Sequence, residues 1–115
     1  NLRRTSKFNI QIESEELQEY LLSEEHKIMI YRVLQEQLNN IIKYASAQSV
    51  TIQLQTRQDK AWVLIKDDGV GFDPAAVKSG IGLKNIRSRV QLFRGRMDLQ
   101  SAPGKGCVLS AVFPL

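Results

Sequence analysis

The chain holds one cysteine, Cys107, and one histidine, His26. A lone cysteine excludes an internal disulfide, and a lone histidine leaves no zinc constellation. Both fit a reducing compartment, and the cytoplasm is the location expected. No apolar run approaches the roughly 20 residues that a membrane helix needs, and no signal-peptide pattern is visible. Internal repeats and low-complexity tracts are missing too. The first residue is Asn1 rather than methionine, which reads as a fragment of something longer, with any membrane anchor or sensor lying beyond it.

A length of 115 residues sets a single domain, 1–115, with one core. The net charge of +4 is mild and suits a phosphate-bearing ligand. Basic residues are dispersed except for Lys84, Arg87, Arg89, Arg94 and Arg96, so nucleic-acid binding is not expected.

Phe8, Ile10 and Ile12 alternate with polar residues as a half-buried strand does. Ser14, Glu15, Glu16 and Leu17 look like the start of a short helix. Ser23 followed by Glu24 and Glu25 is an N-cap with a favourable dipole, although the full capping box is lacking. From there Ile30, Leu34, Leu38, Ile41 and Ala45 form one apolar stripe at about 100° per residue, the mark of a helix on a core. His26 reads as an ordinary surface histidine at its start. Val50, Ile52 and Leu54 alternate in a second strand, Arg57 to Lys60 is a polar turn, and Ala61 to Lys66 is a third, nearly continuous apolar strand. Trp62 is assigned to sheet packing. After an irregular stretch with four glycines between Gly69 and Gly82, helical spacing resumes from Ile81 to Phe93 and is stopped by Gly95. Met97 and Leu99 mark a strand, SAPGKG a turn, and Cys107 to Phe113 the last strand. Strands and helices segregate. The fold class expected is α+β, a two-layer sandwich with helices on one face of a mixed, mainly antiparallel sheet.

Glu36, Asn40 and Lys43 share a second face of the long helix at i, i+4, i+7 spacing. A carboxylate, an amide and an ammonium in register can hold a hydrated divalent metal and phosphate oxygens, and they can equally be a solvated face. Asp67, Gly69 and Gly71 make a DxGxG pattern at a strand end, where glycines let a flat ligand approach and a fixed carboxylate can accept from an exocyclic amine. The same residues also make a common turn. Gly80-Ile81-Gly82 directly before a helix offers backbone N–H groups to phosphate. It is not a Rossmann fingerprint, since Asn85 stands where the third glycine belongs; nor does GKGC at Gly104 make a phosphate loop, since Leu99 replaces its first glycine.

Taken together in order, IYRVLQEQLNN, DDGVGFD, GIGLKNIRSRV and SAPGKGCVLSAVFPL resemble the ATP-binding catalytic domain of two-component sensor histidine kinases, in the GHKL superfamily. The likeness runs from about residue 8 to the end and is nearest the subclass whose asparagine box reads QExxxN. It implies the Bergerat ATP-binding fold, ATP and Mg2+ as cofactors, and γ-phosphoryl transfer to a histidine on a dimerisation hairpin that these residues do not contain. In that likeness Asn40 holds the metal, Glu36 orders metal-bound water or acts as a base, and Lys43 and Tyr44 lie near the phosphates. Asp67 recognises the adenine amine, Gly69 and Gly71 shape its pocket, Gly80 and Gly82 hinge a lid, and Leu83 opens the following helix. The partners implied are ATP, the phosphoacceptor hairpin and, through it, a response regulator, with a monomeric isolated domain and a homodimeric full-length kinase.

Three departures stand out. Cys107 replaces a threonine whose hydroxyl supports the adenine site, Tyr44 replaces a histidine, and the lid from Phe72 to Ser79 is short. Two alternatives share the fold: a serine kinase of the anti-sigma-factor type, and a non-catalytic module that senses nucleotide or binds a partner.

Overall fold

Residues 9–73 and 83–115 are described by the structure, a computed structural model. Phe8 and the glycines at 80 and 82 therefore lie outside the described residues. Five strands form one sheet: β1 (Asn9–Glu13), β2 (Ser49–Arg57), β3 (Lys60–Asp67), β4 (Arg96–Ser101) and β5 (Cys107–Pro114), in the order β1-β2-β3-β5-β4. Only β1 and β2 run parallel, with Ile10 opposite Val50. A parallel pair needs a crossover, and α1 (Glu24–Asn40) supplies it. The remaining pairs are antiparallel. With α2 (Leu83–Leu92) packed against α1 and the sheet, the architecture is the expected α+β sandwich, helices on one face.

Alternation assigns the faces. Val50, Ile52, Ala61, Val63, Ile65, Leu109, Ala111 and Phe113 are buried beneath the helices. Ile52, Ile65, Leu109 and Leu99 stand in one row across four strands. On α1 the buried positions are Met29, Ile30, Val33, Gln37 and Ile41, with Leu34, Leu38 and Ala45 partly covered. The stripe read from sequence is thus turned by about one residue, which brings a glutamine into the core.

The helix expected from Ser14 does not form. Gln18 donates its N–H to Thr56 Oγ1 (2.9 Å), and Thr56 donates its own to Glu16 O (3.1 Å), so β2 takes the groups a helix would have paired. Only a 3₁₀ turn, Glu19–Leu21, follows. Ser23 does cap α1, and with a reciprocal partner that the sequence pattern does not reveal. Ser23 Oγ accepts from His26 N–H at 3.0 Å while His26 Nδ1 accepts from Ser23 N–H at 3.1 Å, a capping box with histidine in the usual glutamate position. The same ring packs 5.5 Å from Phe93 and 5.2 Å from Phe113. His26 is therefore half-buried and joins α1 to the opposite layer, rather than lying on the surface.

At the end of α2 the left-handed residue is Arg94 (φ 62°), not Gly95. Glycine is needed at 95 for a different reason: a Cβ there would lie 2.8 Å from Val90 Cγ1 and 2.8 Å from Phe113 Cβ. Gly95→Ala is expected to destabilise the domain by about 1–3 kcal/mol through overpacking, read as a lower denaturation midpoint.

Among the described residues the second face of the sheet carries no helix. A shallow groove of about 690 Å³ runs over it past Gln55, Leu64, Ser110 and Val112. Trp62 packs there, as expected, with the Arg57 guanidinium 4.5 Å above its ring.

Candidate nucleotide site

β3 ends with two aspartates whose side chains part company. Asp67 points under the helices and is 4% exposed, in a row with Val50 on β2, Cys107 on β5 and Ser101 on β4. Its Oδ1 accepts from Gly69 N–H at 2.8 Å, and no hydrogen bond among the described residues engages Oδ2. Burial pushes its pKa up, partly countered by the Gly69 bond, with the Asp68 charge adding to the rise. Asp68 faces out and stitches β3 to the start of β2: its Oδ1 accepts from Gln48 and Ser49 N–H at 2.8 and 2.9 Å, which holds its pKa low. One carboxylate is structural. The other is buried and has an acceptor to spare.

Above Asp67, α1 ends in a wider turn. Ile41–Ala45 is π-helical, and Ser46 (φ 51°) terminates it. Such turns change the angular step along a helix, so the α-helical spacing that aligned Lys43 with Asn40 does not continue. Ile41, Tyr44 and Ala45 are turned toward Asp67 instead, while Lys43 is exposed. The loop after β3 is tied to this turn by Val70 N–H donating to Ala45 O (2.7 Å), with Gly69 packed against Ala45.

Gly71 sits at φ +68°, and a Cβ there would collide with the carbonyl of Ala102 and lie 2.9 Å from that of Gly106. The loop therefore lies flush on the β4–β5 turn. Ser101 fastens the two, its hydroxyl donating to Gly106 O (2.7 Å) and accepting from Phe72 N–H (3.0 Å).

Between these parts lies a cavity of about 220 Å³ lined by Gln37, Asn40, Ile41, Tyr44, Ala45, Asp67, Gly71, Phe72, Leu83 and Cys107. Its walls are mostly apolar, with a carboxylate at the floor and amides on the helix side, as suits a flat heterocycle with one polar edge. Of the residues read from sequence, Asn40, Tyr44, Asp67, Gly71, Leu83 and Cys107 meet here. Glu36 is half-buried, Lys43 exposed, and neither lines the cavity; Gly69 lies just behind it. Gly80 and Gly82 are outside the described residues. Gln37 and Ser101 are site residues that the sequence reading misses. The signal for Gln37 is a polar residue one turn before Ile41 on the apolar side of the helix; for Ser101 there is none until the β4–β5 register is known.

Cys107 is buried, and burial together with the Asp67 charge pushes its thiol up to about 11. It stays a neutral thiol, a weak donor on the cavity wall.

A magnesium ion is the metal that the family likeness implies. Among the described residues no group of three or more His, Cys, Asp and Glu side chains could hold a metal alone. Magnesium commonly takes one or two protein oxygens and completes its shell with phosphates and water. The Asn40 carbonyl and the Glu36 carboxylate one turn before it are donors of that kind, so the residues present fit such an ion.

The chain is thus an α+β sandwich with a cavity between its helix layer and the end of its sheet. Residues 25–115 match the family described as histidine kinase-, DNA gyrase B-, and HSP90-like ATPases, and the chain belongs to that family. It is 36% identical over 88 residues to the signal transduction histidine-protein kinase/phosphatase UhpB of Salmonella typhimurium, covering 76% of this chain and 18% of that protein. It is 32% identical over 90 residues to the corresponding kinase/phosphatase DegS of Brevibacillus brevis, covering 77% and 23%. The chain thus spans less than a quarter of either relative. Among solved structures, the blue-light activated histidine kinase of Erythrobacter litoralis EL346 superposes with a TM-score of 0.75 at 17% identity, over 96% of this chain and 36% of that one. The mycobacterial sensor histidine kinase MprB gives 0.73 at 20% identity, over 98% and 85%. The fold and the histidine-kinase type of ATPase domain follow from these likenesses.

Proposed function

We propose that residues 1–115 are the ATP-binding catalytic domain of a two-component sensor histidine kinase. It binds Mg-ATP and passes the γ-phosphoryl group to a histidine on a dimerisation hairpin of the same kinase. A response regulator then takes the group from that hairpin. The working protein is a cytoplasmic homodimer at this end, the isolated domain a monomer.

The observation that carries this reading is the meeting of Asn40 and Asp67, 27 positions apart in the chain, on one cavity. Asp67 accepts a hydrogen bond from the adenine amine through the carboxylate oxygen its own loop leaves unused, while Ile41, Ala45, Leu83 and Phe72 enclose the ring. Asn40 presents its amide oxygen where the phosphates leave the cavity, with Tyr44 beside it. Glu36 orders water next to Asn40, the exposed Lys43 lends positive charge near the phosphates, and the family likeness makes the glycines at 80 and 82, outside the described residues, the hinge of a lid. Magnesium, when bound, neutralises phosphate charge. The transfer breaks the bond from the γ-phosphorus to the β–γ bridging oxygen, forms a P–N bond to the acceptor imidazole and releases ADP. What the chain supplies is chiefly positioning and exclusion of water. The relatives named as histidine kinases favour a histidine acceptor over a serine.

Calorimetric titration with a non-hydrolysable ATP analogue, with and without Mg2+, tests this. Saturable binding that tightens with the metal is the result expected. No binding in either condition overturns the reading.

A further inference from the structure

Gln37 is a glutamine in the core of a helix whose other inward residues are apolar. It is 3% exposed and lines the cavity beside Asn40. Its Oε1 accepts from Asn40 Nδ2 at 3.3 Å, and its Nε2 donates to Cys107 Sγ at 3.9 Å. Burying a carboxamide in an apolar layer is costly unless it is bonded, and the bonds it makes lead to two cavity residues at the same time.

We infer that Gln37 is a positioning residue that fixes which end of the Asn40 amide faces the metal and phosphates. The inference rests on the function proposed above. An asparagine amide has two nearly isosteric ends, and only the oxygen can ligate a hard cation. With Nδ2 committed to Gln37, Oδ1 is the end left to face outward. Without an acceptor at 37 the amide can turn over and offer hydrogens to a cation, which repels them. Cys107 is the anchor at the other end: a neutral thiol holds the Gln37 carboxamide in place without adding charge near the site. The chain Asn40–Gln37–Cys107 thereby links the phosphate end of the cavity to the row that holds Asp67. Partners of this kind, one step removed from a metal, typically alter metal affinity by 10- to 100-fold when lost.

The test measures nucleotide affinity with and without Mg2+ and takes the ratio, the gain due to the metal. Gln37→Met keeps length and burial but removes the acceptor. The gain should fall roughly 10-fold, whereas a purely structural role would weaken both affinities together and leave the ratio intact. An unchanged ratio in this variant overturns the inference. Gln37→Glu, which retains an acceptor for Asn40 and covers the case in which the methionine variant fails to fold, should keep the gain within about threefold of the parent, and a loss as deep as that of Asn40→Ala overturns the inference. A parent domain with no metal-dependent gain would instead refute the proposed function, so the two failures are separable.

Discussion

Replacing Asp67 by asparagine should make the empty domain more stable and the nucleotide complex weaker. Burial raises the Asp67 pKa from its ordinary value of 3.8. A raised carboxyl pKa means that the folded state holds the proton more tightly than the unfolded chain, so this group favours folding most below the ordinary value. The advantage is withdrawn as pH climbs through the raised one, and at neutral pH the buried charge is a net cost. The substituted amide carries no charge, and its oxygen can still accept from Gly69 N–H. The thermal midpoint of Asp67→Asn should therefore exceed that of the parent by a few degrees at pH 7, and the difference should shrink as pH is lowered through the carboxylate range. Asp68 works in the opposite sense, its stabilisation full above 3.8 and lost as pH falls through its lowered value, but it does so in both proteins. Adenine nucleotide affinity should drop by about 10- to 100-fold, the worth of a hydrogen bond to a charged acceptor, and preference over guanine nucleotides should fall with it. Stability unchanged across pH, or selectivity retained, would contradict the assignment of Asp67.

Asn40→Ala should separate metal from base. The side chain is half-buried at the end of α1, and its one described hydrogen bond is to Gln37. Stability should fall by about 1–3 kcal/mol, because the buried Gln37 Oε1 loses its donor, without unfolding the domain. Binding of ADP without metal should persist, because Asp67 and the apolar walls remain, while the affinity gained on adding Mg2+ should vanish. Phosphoryl transfer to a supplied phosphoacceptor hairpin should fall by roughly 100-fold or more, the scale seen when one fixed group facing developing charge is removed. Transfer at the parent rate would show that Asn40 is not the metal-facing residue.

Much of this arrangement is visible in the residues alone. Period-two alternation locates β2, which buries one side and wets the other, a nearly continuous apolar run locates β3, and the end of β3 places Asp67. The limits of such reading are equally physical. The Ser14 helix fails because its backbone groups are claimed by Thr56, 42 residues later in the chain. The alignment of Lys43 with Asn40 assumes a constant angular step, which the π turn breaks. His26 reads as a surface residue because its partners, Phe93 and Phe113, come from elements far along the sequence. Gly95 looks like a helix terminator and is one in position, yet its small size serves the approach of α2 to β5. Local patterns fix elements; contacts made across the fold decide what the exceptions are for.

The placement of Trp62 has a practical consequence. It is the only tryptophan and lies on the side of the sheet turned away from the cavity, stacked with Arg57. Its emission should respond when the sheet comes apart and stay nearly silent when a ligand enters the other layer. The domain thus carries its own optical reporter of folding, one that can be read in the presence of any nucleotide without confusing occupancy with stability.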